Sequence, residues 1–332
     1  MSTVSLYPST DVDDSDLTLT PGDEQDTLVL SMGPQHPSTH GVLRVMLRLD
    51  GETVVEAEPE IGFLHTGIEK QAENLFWQQA VTVIDRADYL APLSNSLCYV
   101  LAVEKLLGIN DIPPRAQTLR VIFTELTRIA SHLVWLGTHA IDLGAMSNFF
   151  YAFEMRERIL RIMEFVTGAR MHQSWFRIGG VALDVPKGFL AVLDEFIELF
   201  PPRLADLRAI LEGNVILLDR LRGVGSISAA HAIAWGLTGP SLRASGVAYD
   251  VRRAFPYCGY EQYEFEVPTD DKGDCYSRFL VRVREMHESW RIIKQARQRF
   301  PGGPVVIDDR KIVPPPKTEI QHSMEALIHH FK

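Results

Sequence analysis

The sequence has little sulfur chemistry to offer. Its 332 residues include three cysteines, Cys98, Cys258 and Cys275, far apart and without a CxxC pair. That excludes a disulfide scaffold, a zinc ribbon and a self-ligated iron–sulfur cluster, and it fits a reducing compartment. Excess positive charge is missing as well. There are 33 Lys and Arg against 43 Asp and Glu, a formal charge of −10, which argues against a nucleic-acid binder held by phosphate contacts. Nowhere is there the run of about 20 apolar residues that a membrane-spanning helix needs. The longest uncharged stretch, Gly223 to Leu242, contains four glycines, Pro240 and His231, so it reads as a turn-rich loop between short elements. The uncharged run from Leu90 to Val103 is shorter and holds Asn95 and two serines. The start, Met1-Ser2-Thr3-Val4, lacks the basic segment of a secretory leader, and acids follow soon after. The chain is expected to stay where it is made and to reach a membrane only by docking on a partner.

What is present is the composition of a globular protein: 46% hydrophobic and 23% charged residues, enough for one large domain or two ordinary ones. Residues 1–26 are rich in Asp, Ser, Thr and Pro and cannot bury enough surface to offset their ordering entropy, so an acidic disordered tail is expected there. Residues 27–70 read as β-rich. Val29–Met32 and Gly41–Leu49 have strand character, and Asp50-Gly51 is a two-residue hairpin turn leading to Thr53-Val54-Val55. Between the first two strands, Pro34 and Pro37 forbid helix and leave a shaped loop.

Residues 71–332 read as mainly helical. Pro113-Pro114 opens a helix expected to run to about Leu143. Others are expected over Phe149–Val166, Gly188–Phe200, Leu204–Glu212, Tyr276–Arg299 and Ile320–Lys332, with Glu154 and Arg158 paired four apart. No cap or tail follows the last helix, so the chain is expected to be incomplete at its C-terminus. The fold class is therefore α+β: an N-terminal antiparallel sheet plus a large helical bundle.

Chemistry concentrates in a few places. On the helix from Pro114, Ile122, Leu126, Ile129, Leu133 and Leu136 form the core stripe. A second stripe holds Glu125, Arg128, His132, Trp135, His139 and Asp142. It is either a solvated face or the lining of an interior polar site, and its His and Trp content keeps the second reading open. His36 and His40 are spaced as HxxxH, but Pro37 removes the helical geometry that spacing needs, and two ligands fall short of a metal site. They either hold the loop by hydrogen bonds or donate protons from it. Asp85-Arg86-Ala87-Asp88-Tyr89 is a charged helix start or a site. Gly223-Val224-Gly225-Ser226-Ile227-Ser228 misses the last glycine of a dinucleotide fingerprint and is set aside.

In order along the chain, Gly33-Pro34-Gln35-His36-Pro37-Ser38-Thr39-His40-Gly41-Val42, Phe63-Leu64-His65-Thr66-Gly67-Ile68-Glu69-Lys70, Asp85-Arg86-Ala87-Asp88-Tyr89, Thr138-His139-Ala140-Ile141-Asp142-Leu143-Gly144-Ala145, Gly168-Ala169-Arg170-Met171-His172 and Leu242-Arg243-Ala244-Ser245-Gly246 closely resemble one family. This is the D-subunit family of NADH:quinone oxidoreductase, the quinone-site subunit of respiratory complex I, related to the large subunit of nickel–iron hydrogenases. The resemblance implies a hydrogenase large-subunit-like fold and a peripheral subunit on the cytoplasmic face of the bacterial inner membrane. The implied partners are the iron–sulfur B subunit, the C subunit, the other complex I subunits and the membrane arm, with no nucleic acid. It implies that His36, His40 and Tyr89 bind quinone, that Tyr89 and His40 carry its reduction with Asp142 as the acid partnering the loop histidine, and that Arg86 and His172 lie near a 4Fe–4S cluster held by the B subunit. NADH and flavin chemistry belong to other subunits. Where a hydrogenase carries its first cysteine pair this chain has Arg86-Ala87-Asp88-Tyr89, which removes hydrogenase chemistry. The rival that remains is a non-catalytic scaffold in a hydrogenase-related membrane complex.

Overall fold

Two alternating apolar runs joined by a turn rich in Asp and Gly dictate a hairpin, and a third run extends it to a sheet. The computed structural model describes residues 27–36 and 40–331. The expected acidic tail, the loop residues Pro37, Ser38 and Thr39, and Lys332 lie outside them. Strands β1 (Thr27–Met32), β2 (Arg44–Asp50) and β3 (Thr53–Glu60) form an antiparallel sheet in the order β1-β2-β3. Thr27 faces Asp50 in the first pairing, and Asp50 faces Thr53 in the second. The turn residues are thus Gly51 and Glu52, one later than expected, with Gly51 at φ +59° where a Cβ would be strained. A bulge at Val55 of β3 shifts the register opposite Arg48 and Leu49 of β2. This strand system belongs to a compact unit ending at Gly67, and the chain from Ile68 onward forms a second one.

The second unit begins with short helices α1 (Ile68–Ala72) and α2 (Trp77–Ile84), followed by α3 (Pro92–Leu107) and the 29-residue α4 (Pro114–Asp142). Pro113 and Pro114 occupy the N-cap and first turn of α4, where a missing N–H costs nothing. Helix α5 (Met146–Thr167) runs into Gly168, whose left-handed φ of +80° ends it. The two-residue strands β4 (Phe176–Arg177) and β5 (Gly180–Val181) form a small hairpin ahead of α6 (Phe189–Leu211). Then come α7 (Val215–Leu221), α8 (Ala229–Ala234), α9 (Gly239–Ala244), α10 (Val251–Ala254), α11 (Cys275–Gln298), α12 (Lys317–Ile320) and α13 (Met324–Phe331). The architecture is α+β, as the sequence implies. Helix α4 is its axis, packed on α3, α5 and α11, and all five residues of its expected core stripe are buried.

Three sequence expectations change. Pro201 and Pro202 do not split the region into two helices, and α6 continues through them. A proline takes away the donor for the carbonyl four residues back. For Pro201 that is Ile197, whose carbonyl instead accepts the indole N–H of Trp290 on α11 at 2.8 Å. The buried stripe Phe196, Phe200, Leu204, Leu207 and Leu211 then holds both halves on one core. The C-terminal helix, by contrast, is broken, because Ser323 caps α13 by accepting the Ala326 N–H at 3.2 Å. The glycine-rich Gly223–Leu242 stretch contains helix α8, capped by Ser228 accepting the His231 N–H.

Charge is buried with its partners. Arg120 of α4 is fully buried. It bonds both oxygens of Glu104 on α3, at 3.1 and 2.6 Å, and the carbonyls of Arg177 and Gly180. One guanidinium so ties α3, α4 and the small hairpin together.

Candidate functional site

The polar stripe of α4 divides along its length. Glu125 is fully buried. It accepts Arg252 at 3.0 Å, Arg128 at 3.1 Å and the Tyr260 hydroxyl at 2.5 Å. Arg252 also grips Asp250 at 2.7 Å. Two turns past Glu125, His132 meets Glu285 of α11 at 2.8 Å, and Arg243 of α9 bonds the same carboxylate. Burial by itself would raise the Glu125 carboxyl, but Arg128 and Arg252 hold it at about 2. The hydrogen bond from His132 and the Arg243 charge likewise hold Glu285 at about 2 against burial. The stripe therefore lines an interior polar network over its first half. At its far end Trp135 stacks on His139, with ring centroids 5.2 Å apart. Burial lowers the His139 pKa, opposed by nearby Asp142. Asp142 itself is exposed at the end of α4.

The Asp85–Tyr89 motif is not a helix start. It forms the turn between α2 and α3. Asp88 accepts the Leu90 N–H at 3.1 Å, and its carbonyl accepts the Asn95 amide at 3.2 Å, which holds the turn locally. Arg86 is exposed and bonds back to the Thr82 carbonyl. Asp85 goes the other way and is fully buried. Its Oδ1 accepts the Ser96 hydroxyl, and its Oδ2 accepts the N–H and hydroxyl of Ser174 at 2.5 and 2.9 Å. Burial raises its pKa, while Ser174, His172 and Arg86 counteract that. His172 and Ser174 both have left-handed backbone, φ +53° and +42°. The Nδ1 of His172 is buried without a hydrogen-bond partner.

Tyr89 is 41% exposed and borders a cleft also lined by Thr127, Arg156, Met171 and Gln173. The structure so gathers Arg86, Tyr89 and His172 around one anchor. Asp142 is elsewhere on the same unit: Ala130, the α4 residue of the cleft nearest to it in sequence, lies about 18 Å back along the helix axis. His36 and His40 are exposed in the β1–β2 loop of the sheet unit, His40 with φ +54°. Sequence reasoning singled out the motif but missed Asp85 as its anchor. The available signal was an acid at the C-terminal end of a helix, where the dipole disfavours one.

The family described as respiratory-chain NADH dehydrogenase, 49 kDa subunit, matches residues 142–332. The second D-subunit form of NADH-quinone oxidoreductase from Roseiflexus sp. (strain RS-1) is 59% identical over 93% of this chain and 75% of its own length. The corresponding form from Chloroflexus aurantiacus is 58% identical over 92% of this chain and 75% of its own. The Thermus thermophilus D subunit is 53% identical over the same shares. This chain belongs to the D-subunit family of NADH-quinone oxidoreductase. As a D subunit of complex I it is part of an oxidoreductase that works as an assembly, and other complex I subunits are its partners. Among the described residues no helix is long and apolar enough to cross a membrane.

Proposed function

We propose that this D subunit, together with the iron–sulfur B subunit, forms the site where quinone is reduced. The observation that carries the reading is the shared anchor at Asp85, which brings the Arg86–Tyr89 turn and the His172 segment together. These are the residues for which the family resemblance implies quinone and cluster contacts. Reduction consumes two electrons and two protons per quinone, giving a quinol, and NADH oxidised elsewhere in the complex supplies the electrons. A 4Fe–4S cluster in the B subunit would pass those electrons on singly. The phenol of Tyr89 donates a hydrogen bond to one quinone oxygen and can give up a proton as negative charge develops there. The resemblance assigns the other oxygen to the His40 imidazole, with His36 on the same loop and Asp142 as the acid paired with His40. Arg86 and His172 are the residues that would lie near that cluster, where a cation would stabilise added negative charge. The C subunit and the membrane arm complete the neighbourhood, the D subunit is peripheral on the cytoplasmic face of the bacterial inner membrane, and quinone reduction is coupled to proton translocation.

Tyr89→Phe tests this in the assembled complex. It removes the donor and keeps nearly all of the ring. Electron transfer from NADH to an artificial acceptor upstream stays normal, while quinone reduction falls through a higher KM, and through a lower kcat if the phenol also transfers its proton. His40→Ala should damage the same step, and the double variant should be less than additive if both residues grip one headgroup. A wild-type rate and KM for Tyr89→Phe would overturn the reading in favour of a scaffold.

A further inference from the structure

We propose that Asp85 is a positioning residue for quinone reduction: its buried carboxylate locks the turn bearing Arg86 and Tyr89 to the segment bearing His172. The inference rests on the quinone-site reading above and adds to it the part that fixes the geometry.

Nothing in the folding of α2 calls for an acid at this place. Asp85 follows the last residue of α2, at the negative end of the helix dipole, and it is fully buried. Both conditions disfavour a carboxylate. What offsets them is a set of bonds that all lead to the two functional segments. Ser96, on the first turns of α3 just past Tyr89, donates to Oδ1, while the N–H and hydroxyl of Ser174 donate to Oδ2. The guanidinium of Arg177 bonds the Ser174 carbonyl, closing the other side of that residue.

The clamped segment also needs a clamp. His172 and Ser174 both hold left-handed backbone without being glycines, a conformation that persists only where the surroundings over-determine it. Ser174 is fixed from its own N–H and hydroxyl by one carboxylate oxygen, and His172 lies two residues away with its Nδ1 in a buried, unpartnered position. On the other side Asp88 shapes the turn locally, but Asp85 connects it to the rest of the site. Removing the carboxylate frees the His172 segment to relax and uncouples it from the turn that carries Tyr89.

The test compares Asp85→Ala with Asp85→Asn in the assembled complex. Asparagine keeps an oxygen for the Ser174 donors and an amide that can donate to the Ser96 hydroxyl, so the clamp survives without its charge. The expected result is a quinone KM within about twofold of wild type for Asp85→Asn and raised about tenfold or more for Asp85→Ala, since small misplacements of site groups are costly. The cluster's midpoint potential or spectrum should move in Asp85→Ala and not in Asp85→Asn, a readout that a loss of general stability would not produce. Transfer from NADH to an artificial acceptor upstream stays normal in both. If Asp85→Ala does not assemble, Ser96→Ala/Ser174→Ala removes two of the three bonds and should shift KM and the cluster signal in the same direction. A wild-type KM and cluster signal in Asp85→Ala, or in the double serine variant where that one replaces it, overturns the proposal. So does an Asp85→Asn as damaging as Asp85→Ala, which would make charge rather than geometry the active property. Tyr89→Phe, run alongside, separates the two levels. If it is impaired while Asp85→Ala is not, only the positioning role falls; if neither is impaired, the quinone-site reading falls with it.

Discussion

Glu125→Gln should destabilise the helical unit by about 3 kcal/mol at neutral pH while leaving the shape of its core intact. Glu125 is fully buried and receives hydrogen bonds from Arg252, Arg128 and Tyr260. Its carboxyl lies at about 2 in the folded chain against an ordinary 4.5. A depression of that size corresponds to about 3 kcal/mol of stability, at the lower end of what removing one partner from a buried ion pair costs. Because the folded value is below the unfolded one, the contribution is complete above about pH 5 and is lost as pH falls toward 2. Glutamine removes the charge and turns an amide donor toward two guanidinium groups. The five tryptophans, Trp77, Trp135, Trp175, Trp235 and Trp290, all belong to the unit from Ile68 onward, so their fluorescence reports its unfolding alone. In urea the midpoint should fall by about 1 M, for a slope of about 3 kcal/mol/M. The stability lost between pH 5 and pH 3 should also be smaller in the variant than in wild type by this one carboxyl. An unchanged midpoint at pH 7, or an identical loss of stability between pH 5 and 3, would show that Glu125 is not held as an ionised partner of Arg128 and Arg252.

Arg120→Leu leaves Glu104 buried beside a neutral side chain and should cost about 3–5 kcal/mol by urea unfolding; a change under 1 kcal/mol would mean that the guanidinium is not the tie between α3 and α4. Gly273→Ala places a Cβ 2.1 Å from the Ile227 carbonyl oxygen at φ +65°, so the backbone must move, and a loss of about 3 kcal/mol or more is expected; a soluble variant with wild-type stability contradicts that contact. Arg86→Met in the assembled complex should lower the cluster's midpoint potential, because a nearby cation favours the more negative reduced state; an identical redox titration places Arg86 too far away to matter. The purified chain by itself should carry no stoichiometric iron and should not oxidise NADH, given three scattered cysteines and no dinucleotide fingerprint; an iron–sulfur absorption spectrum would refute this.

Periodicity, the Asp-Gly turn and the proline breaks determined that this chain is an antiparallel sheet followed by helices. They also placed α4 with its core stripe and its polar stripe, because a 3.6-residue repeat and a proline-marked start are local properties. The motif around Arg86 and Tyr89 was legible for the same reason: its residue types stand next to one another in the sequence. Local rules failed where a distant group completes a local defect. Pro201 should end a helix, yet Trp290, 89 positions later, supplies the N–H that the Ile197 carbonyl needs. Whether the stripe of Glu125 and His132 faced water or the interior depended on Arg243, Arg252, Tyr260 and Glu285, which only the packing of α9, α10, α11 and the turn at Tyr260–Gln262 brings to it. Asp85 looked like one acid in a charged pentapeptide until Ser174, 89 residues on, was seen donating to it twice. The sequence lists which groups are charged, but burial and partners decide what a charge does, and both are set by segments that meet only in the folded chain.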